Sequence, residues 1–555
     1  MSRRRLLRPL AAVASLAVAL AACGDDGSGY GPRNERVAGE PGVDQGLFPG
    51  SPWTFDEDYA PRSNVAQTVA APLPDGEWGG DGWVFVANEV ANGVTVLDLR
   101  TLTPIDFVYS PDSPVPHHPY LSPDQRWVST NTRFGSNVIV IDTHDDFART
   151  ILTFPEAEGG EDVAGPLHGT YTHDSRYFIV ALQRSDRVGV VDMQAEGGPE
   201  ILEVIDIGDR PRDVYVTPDD GKAFISHQGE NYVTVLDIGS WEVRQIQRSD
   251  ADYSSAGGGG GGMSEDGTLF AVANTPEQQV VVIDTETEQV VHRVDGVPAP
   301  VNVEFLGNTH MIGIGNRADG SATFIDADSG ELLATVETGG GANIPYMGPD
   351  GNIWVTHNGA GHLSVIDPET FEVIDEVAVG VNPHWLHFLP SGSRALATNW
   401  GEDKISVIDT VRRRQLTTVQ TGLNPNGIVV KTDVTPEQAA AALGSERSLQ
   451  ARQDVPAASE MLLPEPRDDQ EQLFLNTCVQ CHDMGRIVRN NSSTYEDWNA
   501  IVLRMRGNGA VMTDEEIEEI TDYLTEGRHQ EIEIATRYAE NYRAAGEDAD
   551  PPRLP

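Results

Sequence analysis

Two groups of residues in this chain have the types and spacing to do chemistry. Near the C-terminal end stands Cys478-Val479-Gln480-Cys481-His482. Two thiols at this spacing reach the two vinyl groups of a haem, and the adjacent imidazole reaches its iron, so C-x-x-C-H reads as a site of covalent c-type haem attachment. A redox or zinc pair is the competing reading. Zinc would want further ligands, and the one remaining cysteine is Cys23. The sixth iron ligand is then Met505 or Met512. Met512 directly precedes the capping box Thr513-Asp514-Glu515-Glu516 and would staple onto Ile517, which already gives it a structural task. Met505 precedes the glycine-bearing loop Arg506–Ala510 and is the expected ligand. His/Met ligation leaves no open position on the iron and suits one-electron transfer.

The second group is His117-His118, His168 and His384, accompanied by Arg212, Asn302, Asn343, Asn426 and the run Gly257–Gly262. The elements that must position them form a repeat. Eight short β-branched runs each end in Asp, at Asp98, Asp142, Asp192, Asp237, Asp284, Asp326, Asp367 and Asp409, separated by 44, 50, 45, 47, 42, 41 and 42 residues. Most are preceded by a second strand, such as Trp83–Asn88 or Arg394–Asn399, and followed by a turn and a further strand. Four strands every 40–50 residues is the period of a propeller blade. The expected fold is mainly β, an eight-bladed β-propeller over 60–433. Asn424–Thr432 is an innermost strand without a blade of its own and is expected to complete blade 1. The recurring Asp is expected to cap the turn that leaves its strand, because Asx side chains bond backbone two residues on.

These repeats resemble the YVTN-type propellers, a group that includes lactonase-like proteins, the haem d1 propeller of cd1 nitrite reductases and the propeller of nitrous oxide reductase. Ligands of such propellers meet the ends of the innermost strands. The resemblance therefore implies a mouth where His384, Asn426, His117 or His118, His168 and Arg212 form a polar arc, with the glycine run opposite either leaving space or permitting close backbone approach. Pro116-His117-His118-Pro119 resembles a copper-binding stretch of nitrous oxide reductase, but that family needs seven histidines and the other mouth positions here are Arg, Gly or Asn. Haem d1 propellers need fewer, so the resemblance implies a haem d1 with His118, His168 and His384 as ligands or proton donors. The Trp-docking repeat of eight-bladed quinoproteins is absent. The segment 469–545 resembles a small all-α class I cytochrome c domain, with Cys478, Cys481, His482 and Met505 around its haem.

Residues 1–22 read as an export signal: four Arg, then an apolar stretch too short to span a bilayer, ending at Leu20-Ala21-Ala22-Cys23. That ending resembles a bacterial lipobox and implies lipidation of Cys23. Residues 23–55 are a Gly-, Asp- and Pro-rich tether, and 434–468 a linker with a short helix at Pro436–Leu443. The formal net charge of -48 over 555 residues excludes nucleic acid and an electrostatic hold on anionic lipid. The membrane is then met through a lipid anchor only, in the cell envelope on the extracytoplasmic side.

The expected function is electron transfer, with a propeller that binds a substrate or a redox partner protein and a tethered cytochrome that relays electrons. Two alternatives stay open: a haem d1-type oxidoreductase acting on a small molecule, and a non-catalytic docking propeller. Thioether-bound haem survives denaturation, so a haem stain on a denaturing gel is expected to follow the wild-type band. It should be lost from a Cys478→Ala, Cys481→Ala variant, and a variant band that still stains contradicts attachment there.

Overall fold

The computed structural model describes residues 81–459 apart from 90, 110–115, 134, 156–163, 250–257 and 423, together with residue 502 and Asp514–Thr525. Eight four-stranded antiparallel sheets make eight blades. Blades 2 to 8 are each continuous in sequence. Blade 1 takes Trp83–Asn88, Gly93–Asp98 and Pro104–Tyr109 from the start of the propeller and its innermost strand, Pro425–Lys431, from the end. This is the ring closure expected from the unpaired final strand.

The burial patterns follow from position within a blade. The inner middle strands are covered on both faces, and Trp83–Asn88, Trp127–Thr132 and Asn137–Asp142 are buried at every residue. Hence the near-continuous apolar runs of Trp83–Asn88 and Asn137–Asp142 in place of a two-residue alternation, whereas Trp127–Thr132 buries four polar residues, Ser129 to Thr132. Outermost strands such as Ala148–Thr153 are mostly exposed. Apolar side chains from neighbouring blades meet in eight clusters, one for each blade–blade interface. Blades 7 and 8, for example, share Trp354, Leu363, Val365, Leu386, Ala395 and Ala397.

The recurring Asp does cap its turn. Asp98, Asp284 and Asp326 each accept from the backbone N–H three residues on, and Asp142 and Asp192 from two residues on. A second repeated device pins the third strand to the second. The Asn or His that ends the second strand bonds a Thr or Ser seven residues later: Asn88 to Thr95, His227 to Thr234, Asn316 to Thr323, His357 to Ser364 and Asn399 to Ser406. His227 and His357 are therefore structural. Burial holds the His227 imidazole down at about 3.

After the closing strand, α1 (Pro436–Leu443) begins with a complete capping box between Thr435 and Gln438. The stretch beyond it, expected as linker, instead forms α2 (Glu446–Ser459). Val434, Ala439 and Ala442 join the core between blades 1 and 2, Ser448 Oγ donates to the Pro104 carbonyl at 2.9 Å, and Arg447 pairs with Asp146 at 2.6 Å. These anchors hold the segment against the propeller, so it is not free to act as a spacer. Further along, α3 (Asp514–Thr525) buries Ile517, Ile520 and Leu524, in agreement with the helix expected after the Thr513 cap. Among the described residues no helix is long and apolar enough to cross a membrane.

Trp354 is fully buried between blades 7 and 8, and its indole N–H donates to Asp350 at 3.1 Å. Trp354→Ala should cost about 3–5 kcal/mol of propeller stability in denaturant unfolding. Val411→Ala, at a side chain 73% exposed, should leave the transition within ~0.5 kcal/mol.

Candidate functional site

A β-bulge builds the mouth. In seven of the eight blades the innermost strand pairs with the second strand through one extra residue directly after its first position, as between Pro116 and Pro119, Pro166 and Gly169, Pro211 and Val214, or Pro383 and Leu386. A bulge bends its strand and re-aims side chains. The bulged residues here are His117 and His118, Leu167 and His168, Arg212 and Asp213, His384 and Trp385. Proline suits the position before them because the first residue of a strand can do without an N–H.

The structure brings His117, His118 and His168 into one stack. Ring centroids are 4.2 Å apart for His117 and His118, 4.8 Å for His118 and His168 and 5.4 Å for His117 and His168, with interplanar angles of 9°, 10° and 2°. His384 stands beside the stack and not in it, tilted by 43° with its centroid 6.3 Å from that of His118. It is held by Asn358 Oδ1 at 2.9 Å, and its carbonyl accepts from Asn343 at 3.0 Å.

The remaining mouth residues link these imidazoles into a circuit around the channel. His117 Nδ1 bonds Glu89 Oε1 at 2.5 Å, and Glu89 also accepts from Trp400 Nε1 at 2.8 Å and Asn426 Nδ2 at 3.1 Å. His168 Nδ1 bonds Asp213, whose other oxygen takes Arg212 Nη1 at 2.7 Å and the Gly261 N–H at 3.1 Å. Arg212 Nη2 continues to Asn302 at 2.8 Å, Asn302 to Asn343 at 2.8 Å, and Arg317 also donates to Asn343. The glycine run permits close approach rather than leaving open space: a Cβ on Gly262 would sit 2.6 Å from the Val303 carbonyl oxygen, and one on Gly260 1.9 Å from Nη1 of Arg212, which crosses blade 5 from blade 4 to blade 6.

Burial decides the charge states. It holds His118 well below the usual imidazole range, with His117, His168 and His384 adding repulsion and a nearby Asn426 offsetting part of this. Burial lowers His168 too, against the pull of Asp213. Asp213 is the reverse case: burial opposes its ionisation, yet Arg212 and His168 bring it down to about 2. The stack therefore presents neutral imidazoles at His118 and His168 beside an ionised Asp213. In the channel, burial and the Asp213 charge push Glu304 up to about 8, and burial raises the phenols of Tyr120, Tyr215 and Tyr346. A cavity of about 240 Å³ runs along the inner strands of blades 8, 1, 2 and 3, lined by His118, Tyr120, Thr170, Trp385 and His387.

Cys23, Cys478, Cys481, His482, Met505 and Met512 lie outside the described residues. Sequence reasoning missed Glu89, Arg133, Arg317, Asn358 and Trp400. All five directly follow the last residue of a second strand, so the repeat register itself carried the signal.

No family model matches the chain. The protein NirF of Pseudomonas aeruginosa is 23% identical over 264 residues, 45% of this chain. That match spans 66% of the relative's own length, just short of two thirds. Among solved structures, dihydro-haem d1 dehydrogenase NirN in complex with DHE superposes with a TM-score of 0.52 at 17% identity, over 65% of this chain and 76% of that one. The likeness to NirN extends to the fold.

Glu304 shares the channel with Asp213, Arg212, Tyr215 and Tyr346. Its folded value lies above the ordinary 4.5, so between 4.5 and about 8 the native state holds a proton that the unfolded chain has lost. Stability contributed by this group is thus present below 4.5 and falls as pH rises through that window. In unfolding curves across the window, Glu304→Gln should flatten the decline. An unchanged slope would place the titration elsewhere.

Proposed function

We propose that the mouth of this propeller binds a tetrapyrrole of the haem d1 class. The observation that carries the reading is a pair of buried ring nitrogens, Nε2 of His118 and Nε2 of His168, with no hydrogen-bond partner among the described residues. A buried polar atom left without a partner costs ~1–3 kcal/mol, and a bond to a metal centre would remove that cost. NirN, a dihydro-haem d1 dehydrogenase solved in complex with DHE, shares the propeller fold and supports the same ligand class.

When bound, such a group supplies a redox-active iron within a conjugated ring. The chain's own residues would hold and orient it. Asp213 fixes the proton of His168 on Nδ1 and leaves Nε2 as the lone-pair nitrogen. His118 offers a second neutral imidazole from the neighbouring blade, and His384 is the candidate proton donor at the rim. Arg133, whose charge depresses the basicity of His168, and Arg317, which donates to Asn343, place positive charge beside the mouth. In a chain of net charge -48, such local cations are what an anionic ligand requires.

A second role rests on Cys478-Val479-Gln480-Cys481-His482. With Met505 as the sixth ligand, this site would carry electrons between the mouth and a redox partner in the cell envelope. Export and a lipid at Cys23 would place the protein there. The mouth would then be an oxidoreductase centre and the cytochrome its relay.

Titration with haem d1, followed by absorption, tests the reading. The wild type should bind one equivalent at the mouth, and a His118→Ala, His168→Ala variant should lose the iron-ligand spectrum. Arg133→Gln or Arg317→Gln should weaken uptake by about 10-fold or more, a charge-assisted hydrogen bond being worth about 1.5–3 kcal/mol. Uptake unchanged in the double histidine variant would show that these imidazoles do not hold the ring, and no uptake by the wild type would leave a docking propeller as the better description.

A further inference from the structure

We propose that His117, His118 and His168 also form a three-imidazole site for a free divalent transition metal ion of the copper or zinc class. This goes beyond the tetrapyrrole reading and does not depend on it. A haem iron has four macrocycle nitrogens and takes at most two imidazoles, so three imidazoles in one stack exceed what a haem can use. One ring nitrogen from each of these three residues lies within 4.8 Å of the other two. Modest rotation of the rings out of their stack would close them on one ion, with metal–nitrogen distances near ~2.0–2.1 Å.

The surroundings are those of a built metal site. Histidine ligands usually donate the second ring nitrogen to a carboxylate, which fixes the tautomer and raises the basicity of the ligating nitrogen. Two of the three do so here, His117 to Glu89 and His168 to Asp213. Both carboxylates are buried and themselves held, Glu89 by Trp400 and Asn426, Asp213 by Arg212 and the Gly261 N–H. Nε2 of His118 and of His168 are buried with no hydrogen-bond partner among the described residues. Three imidazoles with no thiolate and no directly ligating carboxylate favour copper and zinc over magnesium or calcium. Three protein ligands also leave a fourth position for water or a substrate atom, the pattern of reactive rather than purely structural sites.

The test uses the full-length chain in a Cys478→Ala, Cys481→Ala background, so that thiols cannot compete, and without added tetrapyrrole. Co2+ is the spectroscopic probe and Zn2+ the competitor. One Co2+ per chain with the visible d–d bands of four- or five-coordination is expected, displaced by one Zn2+. His118→Ala and His168→Ala should each lower affinity by ~100-fold or more. Glu89→Gln, which leaves all three imidazoles in place, should lower it ~10–100-fold while keeping the band pattern. His310→Ala, at a surface histidine between Asp266 and Asp328, should change nothing. Circular dichroism establishes that each variant is folded. Stoichiometric binding that survives in a folded His118→Ala, His168→Ala variant, or no binding by the folded parent, overturns the proposal. A parent that takes up haem d1 but no Co2+ overturns this site alone, whereas Co2+ binding without haem uptake supports it and overturns the tetrapyrrole reading.

Discussion

The strand Trp83–Asn88 has two hydrogen-bonding edges. One pairs with Gly93–Asp98, its neighbour in sequence, and the other with Pro425–Lys431 from the far end of the propeller. An unpaired edge at this point would be a template for association with other chains. Closing it joins the first blade to the last and completes the apolar interface between blades 8 and 1. The closure is also latched. Lys431 Nζ donates to the Gln125 carbonyl at 2.8 Å, and the Gln125 side chain accepts from the Thr432 N–H at 2.8 Å, which ties the returning chain to blade 2. The site depends on the same pairing. Glu89 follows one strand of this pair and Asn426 lies on the other, and their contact joins the circuit to His117 across the seam. An open ring would keep most of the blades and lose the circuit.

Given the closed ring, the mouth is a problem of buried charge. Asp213 and Arg212 are both nearly inaccessible. Taking two ions out of water is costly, and the arrangement is tenable because the pair bonds each other and finds further partners across the blades. The glycines of blade 5 make this possible by carrying no side chain where the guanidinium passes. The asymmetry of the ring thus has a physical origin: one blade gives up its mouth side chains so that its neighbours can bond across it. That arrangement keeps Asp213 ionised and turned toward His168, which in turn fixes the orientation of a neutral imidazole.

The fold was legible because its signal is repeated. Eight Asp-terminated runs at near-constant spacing fixed the blade count, and the orphan strand Asn424–Thr432 fixed the closure. Terminal Asn and His residues such as Asn88 and His357 belong to the same register, although their bonds to Thr95 and Ser364 needed coordinates. The site was legible in part. His118 and His168 fell at equivalent positions of neighbouring blades, and the structure stacks them with His117. Glu89, Arg133 and Trp400 were missed because their types differ from blade to blade, and only the register, not the residue, repeats. Asp213 was hidden by adjacency to Arg212: the bulge sends two successive side chains to the mouth, where an unbroken strand would send one. α2 was read as linker because its sequence is polar, with little apolar face. It is held instead by particular contacts, such as Ser448 to Pro104 and Arg447 to Asp146.

The two chemistries gathered at the mouth constrain each other. Carboxylates are abundant in this chain, 86 against 38 Lys and Arg, so an anion approaching most of the surface is repelled and a cation is drawn in. At the mouth the balance shifts. Glu89 and Asp213 are engaged by His117, His168 and Arg212, while Arg133 and Arg317 add guanidinium charge to the same circuit. Imidazoles with lone pairs call for a metal, and the arginines favour an anion. A metal held by the imidazoles would meet the first demand, and an anion approaching that metal would meet the second. This pairing of demands, more than any single residue, narrows the chemistry of the site.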